Sequence, residues 1–126
     1  MLKVFINGSS GKVGTSLSRI INKKNDLYVK NKDIPSADVA IDFSHPDSTS
    51  QILHQCSANE IPLIIGTTGL KKNILNEIKK ASELIPIVLA SNMSVGINQL
   101  KINIKKYLQH IENGTTCVIE ETHHAK

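Results

Sequence analysis

Apolar runs alternate with amphipathic segments along most of this chain. The short apolar runs lie at residues 2–6, 27–29, 37–43, 61–65 and 87–90. Runs of this length are typical of strands that are buried on both faces. The segments between them repeat apolar residues every three or four positions, which predicts helices. We therefore predict an α/β fold, with an open parallel sheet, right-handed crossovers and helices on both faces.

The segment after residue 93 carries the clearest helical period of the chain. Its apolar positions fall on one helical face: Ile97, Leu100, Ile104, Tyr107, Leu108 and Ile111. Asn113-Gly114 is a helix stop signal, and residues 115–120 have the composition of a strand. We expect residues 1–93 to form one domain and residues 94–126 to begin a second α+β domain, which is incomplete.

Three glycines lie between the first predicted strand and the first predicted helix. The stretch reads Gly8-Ser9-Ser10-Gly11-Lys12-Val13-Gly14. Glycine lets the backbone turn tightly and lets a phosphate approach without meeting a Cβ atom. The helix that follows directs its free N–H groups at such a phosphate. A purely structural turn would explain the same spacing, so the loop by itself leaves both interpretations open.

Small hydrogen-bonding residues follow three more of the predicted strands. They are Asp42-Phe43-Ser44, Gly66-Thr67-Thr68-Gly69 and Ser91-Asn92-Met93-Ser94. In a parallel sheet these segments share the carboxyl edge, where α/β proteins bind their ligands. Turns favour such residues in general, but the opposite edge carries no comparable clusters. This asymmetry favours a dinucleotide site. Asp42 itself is expected to cap the turn that follows it.

Composition and charge remove several other classes of function. The net charge of the 126 residues is +4, but the lysines are scattered and Arg19 is the single arginine. Scattered lysines with 3% aromatic residues argue against nucleic-acid binding. Cys56 and Cys117 have no metal-binding spacing, so we expect no metal site and two reduced thiols. The sequence shows no membrane-length apolar run and no signal-peptide pattern, and we expect a cytoplasmic protein that binds no membrane.

Two neighbouring histidines, His123 and His124, follow the last predicted strand. Adjacent residues of an extended chain face opposite ways, which argues against chelation of one metal ion by both. An acid–base or anion-binding pair is the better interpretation. Near the second strand, Lys30 and Lys32 favour a ribose 2′-phosphate, although a solvated loop explains them equally well.

Five motifs occur in order across nearly the whole chain. They are Gly8-x-x-Gly11-x-Val13-Gly14, Asp42-Phe43-Ser44-x-Pro46, Gly66-Thr67-Thr68-Gly69, Asn92-Met93-Ser94-Val95-Gly96-Ile97-Asn98 and Glu120-x-x-His123-His124. Together they resemble the 4-hydroxy-tetrahydrodipicolinate (dihydrodipicolinate) reductases of bacterial lysine and diaminopimelate synthesis. The resemblance implies a Rossmann-like dinucleotide domain and hydride transfer from NADPH or NADH to a cyclic imine-like dicarboxylate, with loss of water.

The resemblance also implies roles for individual residues. Those expected to bind the cofactor are Gly8, Ser9, Ser10, Gly11, Lys12 and Val13 at the pyrophosphate, and Gly66, Thr67, Thr68, Ala90, Ser91, Asn92 and Met93 at the nicotinamide. His123 would donate or accept the proton, and His124 would contact the substrate. The family's lysine of the His-His-x-x-Lys pattern would fall one residue beyond Lys126. Most of the substrate domain, which forms a tetramer in the family, would lie further on.

From these departures we expect weak cofactor binding by this chain, and slow turnover or none. Two other classes of function remain open. One is a non-catalytic dinucleotide-binding remnant or regulatory protein, in which no activity would depend on His123. The other is a basic nucleic-acid-binding module, which would bind DNA or RNA with a steep dependence on salt.

Overall fold

A computed structural model describes residues 1–29, 34–112, 114–120 and 122. The chain divides into two compact units, Met1–Met93 and Ser94–Lys126. The elements of the first unit are β1 (Leu2–Asn7), α1 (Lys12–Ile21), β2 (Leu27–Val29), one 3-10 turn (Ile34–Ser36), β3 (Val39–Asp42), α2 (Pro46–Ala58), β4 (Leu63–Ile65), α3 (Lys72–Ala81) and β5 (Ile87–Leu89). The second unit contains α4 (Val95–Leu108).

The five strands form one parallel sheet in the order β2-β1-β3-β4-β5. From β1 the chain passes outward to β2, and then returns to place β3 on the other side of β1. The strand order therefore reverses between β1 and β3, and this reversal creates the crevice in which open α/β sheets bind ligands. The predicted α/β class with a Rossmann-like parallel sheet is confirmed.

Helices cover both faces of the sheet, and each face has an aliphatic core. The larger core joins α2 and α3 to one face; its fully buried members include Leu53, Leu63 and Ile65. The smaller core joins α1 to the other face through Val4, Ile6 and Ile21. These cores follow from the sequence, because a chain with few aromatic residues must fill its interior with aliphatic side chains.

Helix α1 does not bury the whole apolar stripe that the helical period predicts. Val13 and Ile20 are about half exposed, whereas Gly14 and Ile21 are buried. The reason is that α1 rests with the bare backbone of Gly14 against the preceding loop. This contact fixes the rotation of the helix and turns two apolar side chains outward.

In the second unit, Ser94 is the N-cap of α4, and its hydroxyl accepts a hydrogen bond from the Ile97 N–H at 3.4 Å. The helix contains the predicted apolar positions from Ile97 to Leu108, whereas Ile111 lies beyond its end; as far as the described residues show, none of its side chains is buried. The strand predicted at residues 115–120 is wrong, since these residues are irregular. A strand needs a neighbour for its backbone groups, and the described residues of this unit offer none. No helix in the described part of the chain has the length and apolar character needed to cross a bilayer.

Candidate functional site

The loops after β1 and β3 meet at the point where the strand order reverses. Asn7 and Asp42 are register partners at the ends of these strands, and the Phe43 N–H continues the pairing to the Asn7 carbonyl at 3.1 Å. Gly8 adopts φ +84°, and a Cβ atom there would lie 2.5 Å from the Phe43 carbonyl oxygen. Only glycine satisfies both the left-handed conformation and this close approach.

The second and third glycines of the loop lie in very different surroundings. A Cβ atom on Gly14 would lie 2.1 Å from the Gly8 carbonyl oxygen, so α1 and the loop are in direct backbone contact. A Cβ atom on Gly11 would meet only that same oxygen, at 3.3 Å, and otherwise open space. Gly14 is therefore a packing residue, whereas Gly11 leaves room for an incoming group.

The start of α1 is suited to an anion. Gly11 is its N-cap, and no side chain caps it within the described residues. The Gly11 N–H donates to the Gly8 carbonyl at 3.0 Å, which closes the turn. The first-turn N–H groups of a helix have no intrahelical acceptor, and the helix dipole adds positive potential there. Lys12, at the first helical position, is exposed and adds a full positive charge.

A buried carboxylate organises the end of β3. Asp42 is 0% exposed. Its Oδ1 accepts hydrogen bonds from the Asn7 side-chain amide at 2.9 Å, the Ser44 N–H at 3.2 Å and the Ser44 hydroxyl. Its Oδ2 accepts from the Thr49 hydroxyl at 2.7 Å. The expected capping of the following turn by Asp42 is confirmed, and the carboxylate also ties β1 and α2 to that turn.

The N-cap of α2 is neither of the two nearby residues whose types are most frequent at this position, Ser44 and Asp47. In the structure His45 is the N-cap, and its Nδ1 accepts from the Asp47 N–H at 3.5 Å. Ser44 lies one residue before the N-cap, and its hydroxyl donates to Asp42 and accepts from the Asn7 side-chain amide.

The loop after β4 is seated directly on the β3 loop. The Gly66 N–H donates to the Asp42 carbonyl at 2.8 Å, and a Cβ atom on Gly66 would lie 2.2 Å from the Phe43 ring. The Thr67 hydroxyl accepts from the Ser44 N–H at 3.2 Å. Thr67 is buried, so its side chain holds the loops together, whereas Thr68 is exposed.

A cavity of about 300 Å³ opens between the loops that follow β4 and β5. Its lining combines hydroxyl-bearing and apolar residues: Thr67, Thr68, Gly69, Leu70, Leu75, Leu89 and Ser91. Ala90 extends the pairing of β5, since its N–H donates to the Ile65 carbonyl at 3.0 Å. The three leucines were not foreseen from the sequence, because they belong to a helix, a strand and a loop that meet only in the fold.

The candidate cofactor residues all lie at the carboxyl edge of the sheet. Residues 8–13 follow β1 at the strand reversal, 66–68 follow β4, and 90–93 follow β5. Asn7 and Thr49 were missed by the sequence analysis. The one sequence feature that could have indicated the contact between Asn7 and Asp42 is that each residue ends an apolar strand. His123 and His124 lie outside the described residues.

Neither cysteine has the surroundings of a reactive group at this edge. Cys56 is fully buried in the larger core, while Cys117 is exposed in the second unit. Burial raises the pKa of the Cys56 thiol to about 11, and the negative charge of Asp42 adds to this effect. Cys56 is therefore protonated at neutral pH and acts as a small apolar core residue.

Comparison with known proteins identifies similar sequences. Residues 28–93 match the family model described as dihydrodipicolinate reductase, N-terminus. The 4-hydroxy-tetrahydrodipicolinate reductase of Akkermansia muciniphila is 38% identical over 135 residues, which cover 98% of this chain and 54% of that protein. The enzymes of the same name from Campylobacter jejuni (strain 81116) and Clostridium novyi are each 33% identical across 100% of this chain, and 56% and 58% of their own lengths are covered. The chain thus spans little more than half the length of these relatives.

Proposed function

We propose that this chain, which belongs to the dihydrodipicolinate reductase family, is the dinucleotide-binding part of a 4-hydroxy-tetrahydrodipicolinate reductase of lysine and diaminopimelate biosynthesis. The observation that carries the proposal is the meeting of three strand-end loops at the reversal of strand order. There Gly8 and Gly66 are required by contacts inside the protein, whereas Gly11 faces open space. In this proposal residues 1–93 bind the cofactor, and residues 94–126 begin the domain that binds substrate and forms a homo-oligomer.

Residues 8–13 are proposed to hold the pyrophosphate of NADPH or NADH. The uncapped first turn of α1 offers N–H donors, and the missing Cβ at Gly11 allows a phosphate oxygen to approach them. Lys12 adds a cation beside them. A pyrophosphate group can use all three features, namely the backbone donors, the space at Gly11 and the positive charge of Lys12.

Gly66, Thr67 and Thr68, with residues 90–93, are proposed to bind the nicotinamide end. Because the Thr67 hydroxyl is occupied by Ser44, Thr67 would contribute its backbone groups. Thr68 and Ser91 line the adjacent cavity, and their hydroxyl groups would be suited to the polar carboxamide. The leucines of that cavity offer an apolar wall for the ring.

The bound reduced nicotinamide would supply a hydride, which together with one proton converts 4-hydroxy-tetrahydrodipicolinate to tetrahydrodipicolinate while the 4-hydroxyl group leaves as water. In this proposal His123 transfers the proton that balances the hydride, and His124 binds a carboxylate of the substrate. An imidazole titrates near neutral pH and can exchange a proton during turnover. Cationic donors around the substrate would also stabilise the negative charge that develops as the ring accepts the hydride.

A two-stage experiment tests the proposal. The purified chain is first titrated with NADPH and with NADH, and we expect 1:1 binding of both. It is then assayed for NADPH oxidation with freshly generated substrate, beside the variant His123→Ala. We expect the variant to retain cofactor binding and to lose whatever turnover the chain shows. Absence of dinucleotide binding would refute the proposal, and turnover that does not depend on His123 would refute the assigned chemistry.

A further inference from the structure

We propose that Asp42 is a positioning residue for the dinucleotide site, acting through its two carboxylate oxygens on different parts of the fold. This inference rests on the proposed function of the site. Asp42 is 0% exposed, so it cannot touch a ligand in the crevice. Any influence that it has on binding must therefore pass through the groups that it holds.

The Oδ1 atom faces the crevice loops. It accepts a hydrogen bond from the side-chain amide of Asn7, the last residue of β1 before Gly8. It also accepts hydrogen bonds from the N–H and the hydroxyl of Ser44 in the loop after β3. The Asn7 amide also donates to the Ser44 hydroxyl at 3.0 Å. One oxygen atom thus links the two loops that flank the strand reversal.

The same network reaches the third loop of the site. The Ser44 N–H is shared between Asp42 Oδ1 and the Thr67 hydroxyl, each at 3.2 Å. The Asp42 carbonyl accepts from the Gly66 N–H at 2.8 Å. The loops after β1, β3 and β4 are therefore held in one arrangement by a single residue at their base, which prepares the site before a ligand arrives.

The Oδ2 atom serves a different purpose. It accepts from the hydroxyl of Thr49, which is the fourth residue of α2 and is fully buried. This bond ties α2 to the end of β3, and the Thr49 hydroxyl also lies 3.4 Å from the carbonyl oxygen of His45, the N-cap of α2. Loss of the Thr49 hydroxyl should lower stability without altering the loops, because it leaves a buried oxygen without a partner.

The chain therefore offers a matched set of variants. Asp42→Ala removes the contacts of both carboxylate oxygens. Ser44→Ala removes a partner on the Oδ1 side, together with the contact between the Ser44 and Ser48 hydroxyls. Thr49→Val removes the Oδ2 contact and the longer bond, 3.4 Å, from the Thr49 hydroxyl to the His45 carbonyl. Asp42→Asn keeps an acceptor at the Oδ1 position, and its amide can donate to the Thr49 hydroxyl, so it tests whether geometry or charge matters.

NADPH affinity of each full-length variant is measured at least 15 °C below its own melting temperature, with amide hydrogen exchange of Ser44 recorded without ligand. We expect Asp42→Ala and Ser44→Ala to weaken binding roughly three- to tenfold, the effect of about one hydrogen bond. Asp42→Ala should also lose protection of the Ser44 amide. Asp42→Asn and Thr49→Val should bind within about twofold of the parent chain.

Three results would overturn the inference. Equal weakening by Thr49→Val and Ser44→Ala would mean that stability alone controls binding. Weakening by Asp42→Asn as large as that by Asp42→Ala would mean that the charge acts directly. Unchanged affinity in Ser44→Ala would also contradict it, and this variant decides the matter if Asp42→Ala does not fold. Absence of binding by the parent chain would instead refute the proposed function, while Ser44 exchange would still show whether Asp42 holds the loop.

Discussion

The glycine loop allows packing and ligand binding to be separated by two substitutions three residues apart. In Gly14→Ala the new methyl would lie 2.1 Å from the Gly8 carbonyl oxygen and 2.7 Å from the Ser9 Cα. Both neighbours are backbone atoms, so α1 and the loop must move apart by about 1 Å. Overpacking of this kind costs about 1–3 kcal/mol, and the helix propensity of alanine returns at most about 1 kcal/mol. We expect a net loss of roughly 1–2 kcal/mol, which lowers the melting temperature by roughly 5–10 °C.

Gly11→Ala should have the opposite profile. Its methyl meets a single protein atom at 3.3 Å, and the residue has an ordinary φ of −73°. Stability should therefore change by less than about 1 kcal/mol, which is the scale of replacing glycine by alanine at an N-cap. The methyl would occupy the space proposed for a phosphate, so NADPH affinity should fall at least tenfold, or about 1.4 kcal/mol.

Thermal unfolding and NADPH titration of both variants check this pair. The reasoning is refuted if Gly14→Ala melts with the parent chain, or if Gly11→Ala binds NADPH as tightly as the parent chain does. A large loss of stability in Gly11→Ala would also contradict it, because the structure shows no packing reason for one.

Three further predictions follow from the core and the third loop. At pH 8 a thiol reagent should modify Cys117 rapidly and Cys56 only on unfolding, because Cys56 is buried and its pKa is raised to about 11; rapid reaction of both thiols would contradict this. Since the unfolded thiol ionises near pH 9 and the folded thiol near 11, the free energy of unfolding should be unaffected by Cys56 below pH 9. Between pH 9 and pH 11 the free energy of unfolding should fall by about 1.4 kcal/mol per pH unit. Denaturant titrations at several pH values should show a smaller decrease in Cys56→Ala. Gly66→Ala should displace the Phe43 ring and cost about 1–3 kcal/mol, seen as a lower melting temperature and altered ring resonances in NMR spectra; unchanged spectra would argue against this contact.

The sequence was sufficient to predict the alternating elements and their class. Each strand is a short apolar run and each helix of the first unit buries at least part of its apolar stripe, so local pattern and final burial agree. The position of the polar strand ends at one edge of the sheet also followed, because parallel strands bring their carboxyl ends together.

What could not be predicted depends on neighbours distant in the chain. The role of Asp42 arises from its register with Asn7, and no local pattern encodes a register between strands 35 residues apart. The rotation of α1 about its axis follows from the contact between the Gly14 backbone and the Gly8 carbonyl. The spacing of apolar residues gives no information about that contact. The strand expected at residues 115–120 does not form for the same reason. The composition of a segment gives it a tendency to form a strand, but a strand also needs a neighbouring strand with which to pair.

The central claim is that the carboxyl edge of this sheet binds a nicotinamide dinucleotide, and an NMR titration of the ¹⁵N-labelled chain with NADPH tests it most directly. We expect saturable shift changes in the amides of residues 8–13, 66–68 and 90–93, with the largest change near Gly11. The same titration of Gly11→Ala should require at least tenfold more NADPH. Absence of saturable shifts, or shifts confined to the opposite edge around residues 59–60 and 84–85, would contradict the account.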